Sequence, residues 1–136
     1  MRNKIEIKNF SQNKIKENLK EMESNDELKK SYKSLVKSLG ALVLQNGLYA
    51  SIVFIISKTK DKNNYYYVLK DIQKFLKEYF KDSYVVNNKD IKDIKQEVLE
   101  FLESESFKKA YKQFSEQFIE FIKWHRRYVD IYIDID

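Results

Sequence analysis

The chain contains no proline, and its only two glycines are Gly40 and Gly47. Proline and glycine are the residues that most often interrupt helices, so a chain of 136 residues almost without them has few places where a helix must end. Apolar residues also recur at intervals of three and four, which places them on one face of a helix. The sequence therefore predicts an all-α fold, a bundle of about five to six helices in which each apolar face packs against another.

The length fits one domain, because 136 residues bury a single core and are too few for two. We expect one helical domain over residues 1–136, with fraying in about the first nine residues and in the tail at 130–136. The tail, DIYIDID, alternates apolar and acidic residues and could be extended. The absence of cysteine excludes disulfides and thiolate metal sites. The charged N-terminus is unlike a signal peptide, so we expect a cytoplasmic protein.

Local signals set the expected bounds of the helices. A capping box of Ser24 and Glu27 predicts the start of the second helix, and Gly40 predicts its end. Asn87 and Asn88 are expected to cap the fifth helix. The expected helices cover about residues 10–22, 28–39, 41–57, 65–82, 88–103 and 107–125.

The most apolar segment, LVLQNGLYASIVFIISK at 42–58, has polar residues and a glycine in its middle. It is short for a membrane span, which would also place Gln45 and Asn46 in lipid. Asn46-Gly47 is a favoured hairpin turn, but the flanking apolar runs do not alternate with polar residues. We therefore favour one continuous buried helix over 41–57 at the centre of the bundle, with a β-hairpin as the less favoured alternative. In that helix Gly47 would allow close approach of a neighbouring helix, and Asn46 would be a buried amide.

Three segments follow patterns that occur together, in the same order, in one protein family. The segment LGALVLQNGLYASIVFIISK at 39–58 is similar to LPaxixxNGLxxalAFxxsK, with Gly40 in place of the usual proline. YYYVLKDIQKFL at 65–76 is similar to YxxLxxxlxxwL, with Phe75 in place of a frequent tryptophan. The segment at 107–129 is similar to YxxltxEalxflxWlkRfa and matches it at Tyr111, Glu116, Trp124, Arg127 and Tyr128. Together they resemble the small subunit of Cmr-type, type III-B, CRISPR effector complexes.

This resemblance implies an all-helical, non-catalytic structural subunit that stacks with copies of itself along a CRISPR ribonucleoprotein and lines the guide and target RNA path in antiviral defence. The implied partners are the other Cmr subunits, copies of the chain, CRISPR RNA and target RNA, with no membrane and no small-molecule substrate. Asn46, Gly47 and Trp124 are expected to be structural residues. The alternative is a helical protein-protein interaction adaptor with no direct RNA role.

The formal net charge of +5 suggests a polyanionic partner such as nucleic acid, although a genome rich in A and T would also enrich lysine. Cations recur along one side of several predicted helices. Lysine suits phosphate contact and not base reading, so these residues are either sequence-independent RNA contacts or a solvated face. Tyr65, Tyr66 and Tyr67 could stack on bases, but packing is the favoured interpretation. The candidate RNA-binding residues are Lys30, Lys33, Lys37, Lys70, Lys74, Lys77, Lys81, Lys123, Arg126 and Arg127.

Stacking of identical subunits in a head-to-tail sense requires two different faces. Acidic residues at 21–27 and in the tail at 130–136, and basic residues at 58–62 and 124–127, are candidates for unlike charge on opposite ends of the molecule.

Residues that usually carry catalysis are scarce. His125 is the only histidine, and we interpret it as a core or helix-end residue and not as a general base. No serine nucleophile is identifiable beside it. Asp130, Asp134 and Asp136 could bind a hard cation, but a frayed acidic tail is the favoured interpretation. Without a phosphate-binding loop, an HExxH pair or an EF-hand loop, the sequence predicts no enzyme, no cofactor and no metal site.

Overall fold

The computed structural model describes residues 6–84 and 90–134. In these two ranges the chain forms seven α-helices and one 3₁₀ turn, with no β-strand, which confirms the all-α prediction. The helices are α1 (Ile7–Met22), α2 (Asp26–Asn46), α3 (Leu48–Lys58), α4 (Asn64–Phe80), α5 (Ile91–Leu102), α6 (Glu105–Lys109) and α7 (Tyr111–Tyr132). The 3₁₀ turn covers Lys81–Ser83. The predicted caps Asn87 and Asn88 lie outside the described residues. None of the described helices is long and apolar enough to cross a membrane.

α4 is the most enclosed helix of the bundle. Its residues 67–69 and 71–73 are all buried, so it is surrounded over these two turns. Further along, the ring of Phe75 lies 4.5 Å from the ring of Phe121 on α7 and 5.8 Å from the ring of Phe10 on α1. The centre of the bundle is therefore α4, and not the segment at 41–57.

The segment at 41–57 forms parts of two helices, so the prediction of one continuous helix is wrong. α2 ends at Asn46, and Gly47 has φ +86° and ψ 162°, a backbone conformation that is nearly restricted to glycine. The chain reverses direction at Gly47. After α3, Asn64 at the start of α4 lies beside the first half of α2, where its Nδ2 donates to the backbone oxygen of Ser31 at 3.3 Å. A Cβ on Gly47 would meet nothing within 4 Å. The glycine therefore serves the turn between α2 and α3, and not a close approach of helices.

Two other predicted boundaries of α2 also differ from the structure. Gly40 lies inside the helix, because its neighbours Leu39 and Val43 are buried and their packing outweighs the poor helix propensity of one glycine. The N-cap is Asn25 and not Ser24. The Asn25 side-chain oxygen accepts a hydrogen bond at 3.0 Å from the backbone N–H three residues further on.

The predicted last helix is divided in two at Ala110. The Ser104 hydroxyl caps α6 by accepting from the backbone N–H of Phe107 at 3.2 Å, and the ring of Phe107 turns into the aromatic core. α7 then continues to Tyr132. Ile133 after it is buried, and its backbone oxygen accepts from Lys33 Nζ at 2.7 Å. The expected fraying of residues 130–136 is thus not seen as far as Ile133.

Candidate nucleic-acid interface

The α4 lysine stripe is the set of four lysines that the sequence places on one side of α4: Lys70, Lys74, Lys77 and Lys81. The first two reach carboxylates of α1, Glu21 at 3.3 Å and Glu17 at 3.5 Å. The third donates to the backbone oxygen of Tyr84 at 3.3 Å, and the fourth pairs with Glu78 at 3.0 Å. Every ammonium group of the stripe therefore has an acceptor within the chain.

A second group of cations meets along the contact of α2 with α7, which run antiparallel. Lys37 Nζ lies 2.9 Å from Asp130 Oδ1, and Lys33 Nζ lies 3.9 Å from the same atom. Arg126 Nη1 donates to the backbone oxygen of Lys37 at 2.8 Å. With one further exposed lysine on each helix, these cations form the α2–α7 basic face: Lys30, Lys33, Lys37, Lys123 and Arg126.

Around Asp130, the cations of the α2–α7 basic face outnumber the carboxylates. Asp130 is the carboxylate that pairs with this face, and the hydrogen bond from Lys37, followed by the charges of Lys33 and Arg126, lowers the pKa of Asp130. Lys30 and Lys123 are exposed and form no ion pair with residues 6–84 or 90–134. One carboxylate thus faces several cations, an arrangement that attracts a polyanion.

Arg127 lies on the other side of α7, away from α2. Its guanidinium is 5.0 Å from the centre of the half-buried Trp124 ring. Trp124 begins a row of three rings one helical turn apart, the aromatic ladder: Trp124, Tyr128 and Tyr132. Sequence reasoning singled out Trp124 but not the row, although the spacing of four residues was visible.

The charged segments considered for stacking do not lie on opposite ends of the molecule, so that prediction is wrong. Glu21 of the first acidic segment and Lys62 of the first basic segment both lie close to Tyr66. The pKa of Tyr66 is raised by burial first and then by Glu21, while Lys62 opposes the shift. On α7, Asp130 of the acidic tail follows Arg126 of the second basic segment by one turn. Segments distant in sequence are brought together by the antiparallel helices.

The interior contains a polar cluster that the sequence analysis missed. Asp71 on α4 accepts hydrogen bonds from Asn18 Nδ2 at 2.9 Å and from the Tyr32 hydroxyl at 2.6 Å. Nε2 of His125 lies 2.8 Å from Asp71 Oδ2, and Nδ1 lies 2.6 Å from the Ser11 hydroxyl. Burial, followed by the charge of Asp71, raises the pKa of Tyr32 well above its ordinary value. The cluster joins four helices, and the interpretation of His125 as a core residue is confirmed.

This cluster contains serine, histidine and aspartate but is closed to solvent. Ser11 is 0 % exposed, and His125 and Asp71 are 2 % exposed. A catalytic serine must reach a bound substrate, which this hydroxyl cannot do in the folded chain. The available sequence signal was a polar residue at an apolar position of the helical period, as at Asp71, which lies one turn after Val68 and one turn before Phe75. Its partners come from distant helices and could not be assigned.

The structure also places Asn46 and the tyrosine run, whose roles the sequence had predicted. Asn46 is exposed and its Nδ2 donates to the backbone oxygen of Leu42 at 3.3 Å, so the prediction of a buried amide is wrong. Tyr67 is buried and donates to Glu21 at 3.2 Å; burial and then Glu21 raise the pKa of Tyr67 to about 12. This agrees with packing as the role of the tyrosine run. No cluster of three or more acidic or histidine side chains in the described ranges is placed to hold a metal ion.

The fold and its surface define a small all-α protein with a closed polar interior and a basic exposed face. A family model described as CRISPR-associated protein (Cas_Cmr5) matches residues 8–132, which include all of α2 to α7 and nearly all of α1. The chain belongs to this family, the Cmr5 subunits of type III-B CRISPR complexes. Comparisons with curated proteins and with solved structures gave no match.

Proposed function

We propose that this chain is a non-catalytic structural subunit of a type III-B (Cmr) CRISPR ribonucleoprotein in antiviral defence. It stacks with copies of itself in the cytoplasm, contacts the other Cmr subunits and lines the path of the guide and target RNA. The observation that carries the RNA role is the α2–α7 basic face, where Lys37 and Arg126 meet beside the exposed Lys30 and Lys123.

The composition of this face suits an RNA path. Four of its five cations are lysines, whose compact ammonium groups contact phosphates without reading base edges. A subunit that lines the RNA path of a guided complex must accept any guide sequence. Contacts to phosphates, which are the same at every nucleotide, meet that requirement.

The absence of a catalytic role is supported by the closed interior cluster. Its hydroxyl, imidazole and carboxylate groups are used to join helices, as the contact of Ser11 with His125 between α1 and α7 illustrates. Buried polar groups of this kind are stabilising only when their partners are present, so the cluster fixes how the helices are packed.

Head-to-tail stacking is supported by the different chemistry of the two ends of the bundle. At one end, where α1 passes to α2, the surface carries the charged residues near Tyr66. At the other end, where α2 passes to α3, Leu44 is 85 % exposed and Tyr49 donates to Glu103. Two unlike ends are what an assembly that extends along RNA requires, because a two-fold contact would close it into a dimer.

Ultraviolet cross-linking of the assembled complex tests this function. The purified complex is irradiated with RNA bound, and the cross-linked peptides are identified by mass spectrometry. We expect RNA cross-links on peptides of α2 and α7. Normal incorporation of the chain without any RNA cross-link to it, in a complex whose other subunits do cross-link, would support the protein-protein adaptor instead.

A further inference from the structure

The geometry points to a second RNA-binding element on α7. We propose that the aromatic ladder stacks unpaired bases of single-stranded RNA while the backbone of the same strand contacts the α2–α7 basic face. This inference rests on the proposed function and adds to it a surface for bases, where the basic face provides only for phosphates.

The ladder has a regular spacing along the surface. Ring centroids of Trp124 and Tyr128 are 6.0 Å apart with an interplanar angle of 26°, and those of Tyr128 and Tyr132 are 6.1 Å apart with an angle of 25°. All three residues are half-buried, so the rings are held by the fold and still reach solvent. Three nearly parallel rings in a row can receive successive bases of one strand.

Cations surround the ladder, so it is not an ordinary apolar patch. Lys8 Nζ lies 5.9 Å from the centre of the Trp124 ring, and Lys16 Nζ lies 5.7 Å from the centre of the Tyr132 ring. Both lysines are exposed, so their flexible side chains can turn to a phosphate when a base takes their place. Aromatic rings combined with positive charge are the surface that single-stranded nucleic acid requires.

The ladder and the basic face border the exposed surface of α7 from opposite sides, because residues two apart in a helix, such as Trp124 and Arg126, lie about 160° apart around its axis. Arg126 and Asp130 are directed to α2, whereas Trp124 and Tyr132 contact lysines of α1. Arg127 lies at the edge of the ladder, against the Trp124 ring. A strand that follows α7 can therefore place its phosphates on one side of the helix and its bases on the other.

The spacing of the rings favours splayed bases over a continuous stack. Bases in a duplex strand are about 3.4 Å apart, whereas the rings of the ladder are 6.0 and 6.1 Å apart. Single-stranded regions can present bases that are unstacked from one another. A duplex is therefore not the ligand of the ladder.

Intrinsic fluorescence tests this inference on the unmodified chain, because Trp124 is its only tryptophan. The chain is titrated with a short oligouridylate and with an abasic ribose-phosphate oligomer of the same length, and binding is followed in parallel by anisotropy of labelled oligomers. We expect quenching of Trp124 by oligouridylate and not by the abasic oligomer. Equal quenching by both oligomers, or no quenching by oligouridylate, would overturn the proposal.

Two variants separate the ladder from the basic face. Tyr128→Leu keeps an apolar side chain but removes the central ring, and should weaken oligouridylate binding about tenfold, within the roughly 5- to 150-fold that one stacked base contributes, at an unchanged salt dependence. Lys37→Gln should lower the salt dependence and retain the quenching. Circular dichroism checks that both variants remain helical.

The Tyr128→Leu variant could instead fail to enter the assembled complex while the free variant binds oligouridylate as tightly as the unmodified chain. That result would show that the ladder is a protein contact and would overturn the inference. If these tests show no base stacking on the ladder but the complex still cross-links to RNA through α2, the proposed function stands. Absence of those cross-links, with quenching present, would instead contradict the proposed path along the basic face.

Discussion

The α4 lysine stripe and the α2–α7 basic face are alike in sequence and differ in the folded chain. In both, cations recur at intervals of three or four along a helix, and the basic face combines such cations from α2 and α7. The stripe faces α1, which supplies Glu21 to Lys70 and Glu17 to Lys74. The basic face has Asp130 as its paired carboxylate. A regular row of lysines therefore shows which side of a helix is charged, while the neighbouring helix decides whether that charge is available to a ligand.

Neutralising four cations of each surface should give the largest difference between them. The measured quantity is the slope of log K for RNA binding by the assembled complex against log [salt]. We expect this slope to become shallower by about 3 in the face variant, at roughly 0.7 for each phosphate of single-stranded RNA that the chain no longer neutralises. In the stripe variant the slope should change by less than about 1. Lys33 is retained because it holds the backbone oxygen of Ile133. The face variant is Lys30→Gln, Lys37→Gln, Lys123→Gln and Arg126→Gln, and the matched stripe variant is Lys70→Gln, Lys74→Gln, Lys77→Gln and Lys81→Gln.

Removing the carboxylates opposite the stripe should have a smaller effect in the other direction. In the double variant Glu17→Gln and Glu21→Gln, Lys70 and Lys74 lose their partners and become free to bind phosphate. We expect the slope of log K for RNA binding against log [salt] to become steeper by about 1, at roughly 0.7 for each additional phosphate that a freed lysine neutralises. The folded chain should lose only about 0.2 to 1 kcal/mol for each exposed pair, measured by denaturant unfolding. Unchanged RNA binding would show that the stripe faces away from RNA.

The smallest expected effect concerns the carboxylate of the basic face. Replacing Lys37 with glutamine removes the hydrogen bond that does most to lower the pKa of Asp130, so that pKa should rise towards its ordinary value. A carboxyl group whose pKa is lowered by folding stabilises the fold at pH values above its unfolded-state pKa of about 3.9. This stabilisation is lost as the pH falls through the folded-state pKa. Titration of Asp130 by NMR measures the shift, with Lys30→Gln as the control. An unmoved pKa in Lys37→Gln would contradict the pairing.

The helical fold was predictable from composition and periodicity, and so were several helix ends, but the effect of the two glycines on the helix ends was not. Gly40 and Gly47 carry the same sequence signal, and only Gly47 ends a helix. The buried neighbours of Gly40 keep α2 intact, whereas at Gly47 the chain must reverse and takes a conformation that glycine tolerates. The turn signal of Asn46-Gly47 was correct in position, but it joins two helices and not two strands.

The positions of the candidate cations on their helices were predictable from their spacing, but the partners of these side chains were not. The lysines of α4 lie on one side of the helix, as their spacing predicts, yet the partner of Lys70 is 49 residues away in the sequence. His125 was recognised as a core residue, but Ser11 is 114 residues from it. Pairing between distant helices depends on how those helices pack, which the periodicity of a single helix does not contain.

Lysine acetylation of the assembled complex, with and without bound RNA, tests the central claim most directly because it needs no substitution. The ratio of reactivities at each lysine, measured by mass spectrometry, reports which ammonium groups RNA covers, and the free chain gives the baseline. We predict that RNA protects Lys30, Lys37 and Lys123 and leaves Lys70, Lys74, Lys77 and Lys81 unchanged. Protection of the α4 lysine stripe, with Lys30, Lys37 and Lys123 remaining as reactive as without RNA, would contradict the account.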